Sequence, residues 1–151
     1  MLDDADLRLL RRLQSDPTMT VPELANAAGM PTSRALRRLD KLRETGVIRA
    51  TRAVIDWAAL GYGVKVSLRF TLDKTEANAF DVFIAAAREV PEVIEIQTFL
   101  GKVDVRLNVI ARDMGHYQKL YRQRILSLPH IADIEALMHV ATIKAQETLP
   151  I

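Results

Sequence analysis

The chain has 151 residues, 49% of them hydrophobic, and no cysteine, enough for one ordinary domain or two small ones, with disulfide frameworks and thiolate metal sites excluded. Net charge is only +2, but it is unevenly placed. Up to Gly61 there are ten Lys/Arg against eight Asp/Glu, and after it eleven of each, so the basic excess is N-terminal. No apolar run approaches membrane-spanning length, and the start carries Asp3, Asp4 and Asp6 without the apolar core of a signal peptide, so a cytoplasmic protein with no membrane partner is expected.

Asp4–Gln14 reads as a first helix, with Leu7, Leu9, Leu10 and Leu13 inward and the three aspartates at its positive end. A second helix is expected from Val21 to Ala28. Thr20 and Glu23 have the spacing of a capping box, Pro22 suits a first turn, and Gly29 supplies the left-handed residue that ends it. The third runs from about Thr32 to Thr45 and stops at Gly46. Advancing about 100° per residue, Ala35, Leu36, Leu39 and Leu42 form one apolar stripe, and Arg34, Arg37, Arg38 and Lys41 gather beside it. Thr32 and Ser33 stand at its N-terminal end, and Thr32 is the expected cap.

Charged residues on an amphipathic helix are usually only its solvated face. Here Arg34–Arg52 holds seven Lys/Arg against two acids, and a glycine turn and a capping box precede it. Together these point to double-stranded DNA as partner, with the third helix as major-groove reader: guanidinium groups bridge phosphates or take guanine O6 and N7. Val47–Ile55 reads as a short strand or wing, from which Arg49 and Arg52 reach flanking phosphates or merely face solvent. Residues 1–55 are therefore expected to form a winged helix-turn-helix domain, and 56–63, with two glycines and the only tryptophan, a linker.

Val64–Leu72 alternates as a half-buried strand. Asp73 and Glu76 repeat the capping-box spacing before a helix to about Glu89 that buries Ala77, Phe80, Phe83, Ile84 and Ala87. Strands follow at Val93–Leu100 and Val105–Ala111, joined by a hairpin at Gly101–Asp104. A helix capped by Asp113 extends to about Leu128, and the last strand is Ile134–Ile143. The order βαββαβ over residues 64–151 is that of a ferredoxin-like sandwich, so the fold class is α+β. Ile94, Ile96, Ile110, Ala136, Met138 and Val140 put apolar material on both strand faces, which implies burial against a second subunit.

No catalytic constellation is visible, and His116, His130 and His139 lack metal-ligand spacing, so neither an enzyme nor a cofactor is expected. Gly101 and Asp104 make a hairpin turn. The same residues also suit a zwitterion, the carboxylate of Asp104 facing an α-ammonium and the N–H groups at Gly101 and Lys102 facing an α-carboxylate.

The stretches Leu2–Asp16, Glu23–Asp56 (ELANAAGMPTSRALRRLDKLRETGVIRATRAVID) and Gly101–Leu120 (GKVDVRLNVIARDMGHYQKL), with the C-terminal SLPHIADIEALMHVATIKAQETLPI, resemble in this order the Lrp/AsnC family of leucine-responsive or feast/famine transcription regulators. The resemblance covers almost the whole chain. It implies a sequence-specific regulator whose C-terminal domains pair sheet to sheet as homodimers and assemble further, to tetramers or octamers. It also implies an amino-acid-like effector at the Gly-x-x-Asp hairpin, with Gln97, Phe99, Met114, Met138 and His139 lining the pocket. Departures at Val105 and Met138 leave the effector's identity open. The rival classes are a small-molecule enzyme on a dimeric ferredoxin-like domain, and a DNA-compacting protein without sequence preference.

Overall fold

The helix signals near the N-terminus act locally. Asp3 caps α1 (Asp4–Ser15), its carboxylate accepting the Asp6 N–H while Asp6 accepts the Asp3 N–H. Thr20 and Glu23 do the same for α2 (Val21–Ala27). Gly29, at φ 66°, turns the chain into α3 (Thr32–Glu44). Leu9, Leu24, Ala25, Ala28, Ala35 and Leu39 close the small core between these helices. Leu36, expected in the apolar stripe, is 46% exposed, and Leu7, Leu10 and Leu13 are only half-buried.

The computed structural model describes residues 1–145 and 148–151 and divides into two units, Met1–Val54 with Lys144–Ile151, and Ile55–Ile143. The tail thus joins the first unit, where Gln14 and Leu149 exchange hydrogen bonds of 2.9 Å in both directions. The wing expected at Val47–Ile55 carries no strand. A strand needs a ladder partner, and the sheet of this protein is built wholly from later residues.

In the second unit β1 (Val64–Leu72), β2 (Val93–Thr98), β3 (Val105–Ala111) and β4 (Ile131–Met138) form one antiparallel sheet in the order β2-β3-β1-β4. Val66, Leu68, Phe70, Val105, Leu107 and Val109 point to one face, where Phe83 and Ala87 of α4 (Ala79–Arg88) and Tyr117 and Leu120 of α5 (Met114–Leu120) cover them. This is the ferredoxin-like sandwich.

Several boundaries differ from expectation for physical reasons. The α4 helix begins at Ala79. Asp73 accepts the Thr75 N–H in a local turn rather than capping a helix, and residues 74–78, polar but for Ala77, have no face to bury. Ala77 is accordingly exposed, and Phe80, within α4, is 39% exposed on its outer side. Beyond α5 the chain widens into a π-helical turn, Tyr121–Ile125, closed by the Leu126 N–H on the Tyr121 carbonyl at 2.9 Å. His130, at φ 60°, lets β4 start three residues early. That strand ends at Met138, opposite Val66, because β1 offers only two residues beyond it.

Register narrows the expectation of apolar material on both sheet faces. Ile96 opposes Leu107, Ala136 opposes Leu68 and Met138 opposes Val66, so all three belong to the helix-covered face. The open face carries Glu95, Gln97, Arg106, Asn108, Ser67, Arg69 and Glu135, with Ile110 and Leu137 as its apolar members.

Candidate nucleic-acid interface and effector hairpin

On α3 the buried stripe is Ala35, Leu39 and Leu42. Arg37 lies roughly opposite it by helical angle, with Ser33, Lys41 and Arg34 alongside, whereas Arg38 lies only roughly 60° from Ala35. Burial follows this geometry: Thr32, Ser33, Arg34, Arg37 and Lys41 are exposed, and Arg38 is not. Among the described residues Arg34, Arg37 and Lys41 form no ion pair, while Arg43 pairs with Asp40 at 3.3 Å. Arg49 and Arg52 are exposed on the strandless segment that follows.

Thr32 does not cap this helix. Pro31 occupies the cap position at φ −63°, ψ 143°, and no side chain bonds the first turn. The Arg34 and Ala35 N–H groups reach the Pro31 carbonyl at 3.0 Å each. The Thr32 and Ser33 N–H groups make no bond among the described residues, so the positive helix end carries open donors beside its exposed cations, a surface suited to phosphate.

Arg38 is half-buried and turned back onto α1. Its guanidinium takes Asp3 with both terminal nitrogens, at 2.9 and 2.8 Å, and Asp6 at 2.6 Å. Hydrogen bonds to Asp6 and then to Asp3 raise its pKa further above the ordinary arginine range.

The hairpin between β2 and β3 brings Phe99, Gly101, Lys102 and Asp104 together. Gly101 sits at φ 149°. Among the described residues Asp104 is the one buried polar or charged residue, and its carboxylate points inward rather than to solvent. One oxygen accepts the Leu72 N–H at 2.8 Å, and the other meets Lys74 Nζ at 2.7 Å. The Leu72 N–H follows the last β1–β3 pair, Phe70 with Val105, so the carboxylate supplies the acceptor that a continued strand would have given. Thr71 Oγ1 donates to the Lys102 carbonyl at 2.9 Å and fixes the same turn.

The remaining expected pocket residues are spread out. Gln97 lies on the open sheet face, Met138 on the helix-covered side of the edge strand, Met114 at the start of α5, and His139 just past β4, its Nε2 2.9 Å from Thr142 Oγ1. Met114, Met138 and Phe99 are each close to half exposed.

The Lrp/AsnC ligand binding domain model matches residues 65–149, and a winged helix-turn-helix DNA-binding model matches residues 2–49. The DNA-binding transcriptional activator DecR of Escherichia coli K12 is 30% identical over 154 aligned residues, which span 100% of this chain and 99% of that protein. The chain belongs to the Lrp/AsnC family. Two solved structures are similar over 99% of this chain and 97% of their own. A transcriptional regulator of Neisseria meningitidis in complex with L-Met has TM-score 0.91 at 27% identity, and an AsnC family regulator of Agrobacterium tumefaciens has TM-score 0.88 at 31% identity. The protein is a DNA-binding transcription regulator of the Lrp/AsnC type. Among its described residues no helix is long and apolar enough to cross a membrane, and no cluster of ligating side chains suits a metal.

Arg106 escaped the reading of the sequence. In this Lrp/AsnC regulator it faces Gln97 across β2–β3, donates to the Gln97 side chain and lies 5.7 Å from the centre of the Phe99 ring. Gln97 donates in turn to Glu95, which also accepts from Asn108. The Nε of Arg106 is buried without a partner among the described residues. Strand alternation would have found it: with Val105, Leu107 and Val109 on the covered face, Arg106 falls on the open one, where Gln97 lies opposite.

The Asp104 contacts make stability depend on pH. Burial alone pushes its carboxyl up. Hydrogen bonds from Lys74 and the Leu72 N–H, with the charge of Lys74, outweigh that and hold it below the ordinary aspartate value. A depressed folded pKa contributes stability in full above the unfolded value, about 3.9, and loses it as pH falls through the folded value. Asp104→Asn keeps an acceptor for Leu72 but removes the charge and the second oxygen, which meets Lys74. It is expected to cost about 1–2 kcal/mol at neutral pH, discounted for the exposed lysine. In urea unfolding from pH 7 to pH 2 the gap to wild type should close in the acid range. A pH-independent gap would show that the charge plays no part.

Proposed function

We propose that this regulator reads a specific operator with the outward face of α3. Ser33, Arg34, Arg37 and Lys41 enter the major groove, the open N–H groups of Thr32 and Ser33 take a phosphate, and Arg49 and Arg52 flank the groove. The observation that carries the reading is the exposed face of α3 opposite its buried stripe, where Arg34, Arg37 and Lys41 form no ion pair among the described residues. Gel shifts on DNA upstream of its own coding region, against an unrelated fragment of equal length, test it. Equal affinity for both would favour the compacting class.

The second half of the proposal is an amino-acid effector at the 99–104 hairpin of a cytoplasmic dimer or larger assembly. The relative from Neisseria meningitidis was solved with L-Met, so L-Met is the first ligand to try. With the Asp104 carboxylate already engaged, an α-ammonium group reaches it by displacing Lys74, whose side chain is 63% exposed and able to leave. Gly101 and Lys102 supply N–H donors to the carboxylate of the ligand. The buried Nε of Arg106, without an acceptor among the described residues, supports pairing through the open sheet face, where a second copy would provide one. Sedimentation should give a dimer or larger, and calorimetry across the proteinogenic amino acids should give heat with at least one. A monomer at micromolar concentration would overturn the assembly, and silence from every amino acid would leave the hairpin as a turn.

A further inference from the structure

Of the four cations on α3 expected to meet DNA, three point outward and one does not. Arg38 spends both terminal nitrogens on Asp3 and Asp6, residues 35 and 32 positions earlier, and its side chain is 20% exposed while that of Asp6 is 13% exposed. These acids are already tied to each other as the capping box of α1. The fork geometry therefore joins three things: the cap of the first helix, the middle of the reader helix, and a charge balance. To reach a phosphate, Arg38 would break all of these bonds and leave two carboxylates unneutralised beside the polyanion.

We propose that Arg38 is a positioning residue rather than a DNA contact. With Asp3 and Asp6 it forms a latch that fixes the start of α1 against α3, sets the angle at which the outward cations are presented, and masks two acids that would otherwise repel DNA. The proposal rests on the DNA-binding role of the first unit, but half of its test needs no DNA. The latch is bidentate, and a lysine cannot reproduce a guanidinium fork, whereas a phosphate contact tolerates either cation.

The experiment compares Arg38→Ala, Arg38→Lys and Asp6→Asn with wild type, all as full-length protein. In hydrogen exchange without DNA, the first-turn amides of α1 should exchange faster in all three variants, because each opens the latch. In binding titrations across salt concentration, all three should weaken operator affinity by about tenfold, equivalent to about 1.4 kcal/mol. The slope of log affinity against log salt should stay that of wild type, since no phosphate contact has been lost. Asp6→Asn is the sharpest arm: it makes the protein more positive, so simple electrostatics raises DNA affinity, while the latch requires a loss. The double variant Arg38→Ala with Asp6→Asn should be no worse than either single one. Tighter binding by Asp6→Asn, rescue by Arg38→Lys, a slope reduced by about 0.9 in Arg38→Ala, or unchanged amide exchange would each overturn the latch. Asp6→Asn keeps side-chain size and part of the cap, so it remains informative if Arg38→Ala unfolds the first unit.

Discussion

Phe83→Ala is expected to destabilise the protein by about 3–5 kcal/mol, the range for removing a large buried aromatic side chain. Phe83 is fully buried on α4, and its ring lies 5.0 Å from that of Phe70 on β1, tilted by 57°. The pair sits where α4 crosses the sheet, among Leu68, Val105 and Leu107. Truncation leaves a void that this packed layer cannot fill. Phe80, three residues earlier, is the control. It is 39% exposed, and its replacement by alanine should change stability by no more than about 1 kcal/mol. Urea unfolding of both variants checks the pair. Equal losses would mean that α4 is rotated from the face assigned to it. A typical domain has only about 5–15 kcal/mol in hand, so Phe83→Ala should leave the second unit marginal at physiological temperature.

That contrast between two phenylalanines marks what could be read from the residues alone. Both fit a helical apolar pattern, and nothing local says which will find a partner. Features governed by near neighbours were legible: the capping box at Thr20, the aspartates at the positive end of α1, the glycine turn at Gly29, and the alternation of β1. The order of elements, and with it the ferredoxin-like unit, followed from these. Features set by distant partners were not. Asp73 has the spacing of a helix cap, but its own N–H goes to His130 and its carboxylate to Thr75. The fourth strand starts early because Ile131 finds Leu72, a register that no window of sequence contains. Candidate sites divide the same way. The outward position of Arg37 follows from helical angle, and its exposure agrees. The inward fates of Arg38 and Asp104 depend on Asp3 and Leu72, more than thirty residues away in each case, and a lone arginine or aspartate on a periodic element looks the same whether or not such a partner exists.

Replacing Arg34, Arg37 and Lys41 together by alanine is expected to abolish specific DNA binding at physiological salt while leaving the fold intact. A well-formed side-chain contact to a base edge is worth about 1–3 kcal/mol of discrimination. Three lost contacts therefore cost at least about 3 kcal/mol, more than a hundredfold, even with incomplete additivity. Contacts to phosphate have a different signature. Each neutralised phosphate contributes about 0.9 to the slope of log affinity against log salt, so the triple variant should flatten that slope by up to roughly 2.7. Single substitutions then sort the roles: the residue that relaxes sequence preference touches a base, and those that change only the slope touch phosphate. Stability should move by no more than about 0.5 kcal/mol, because the three side chains are exposed and alanine is a favourable helix residue. Asp40 and Glu44 share the outward side of α3, so the stripped helix would present a net negative face. Residual weak binding should therefore fall below that of an uncharged surface. If the triple variant binds operator DNA with the affinity and salt slope of wild type, α3 does not enter the groove and the basic excess of the first unit is a solvated face.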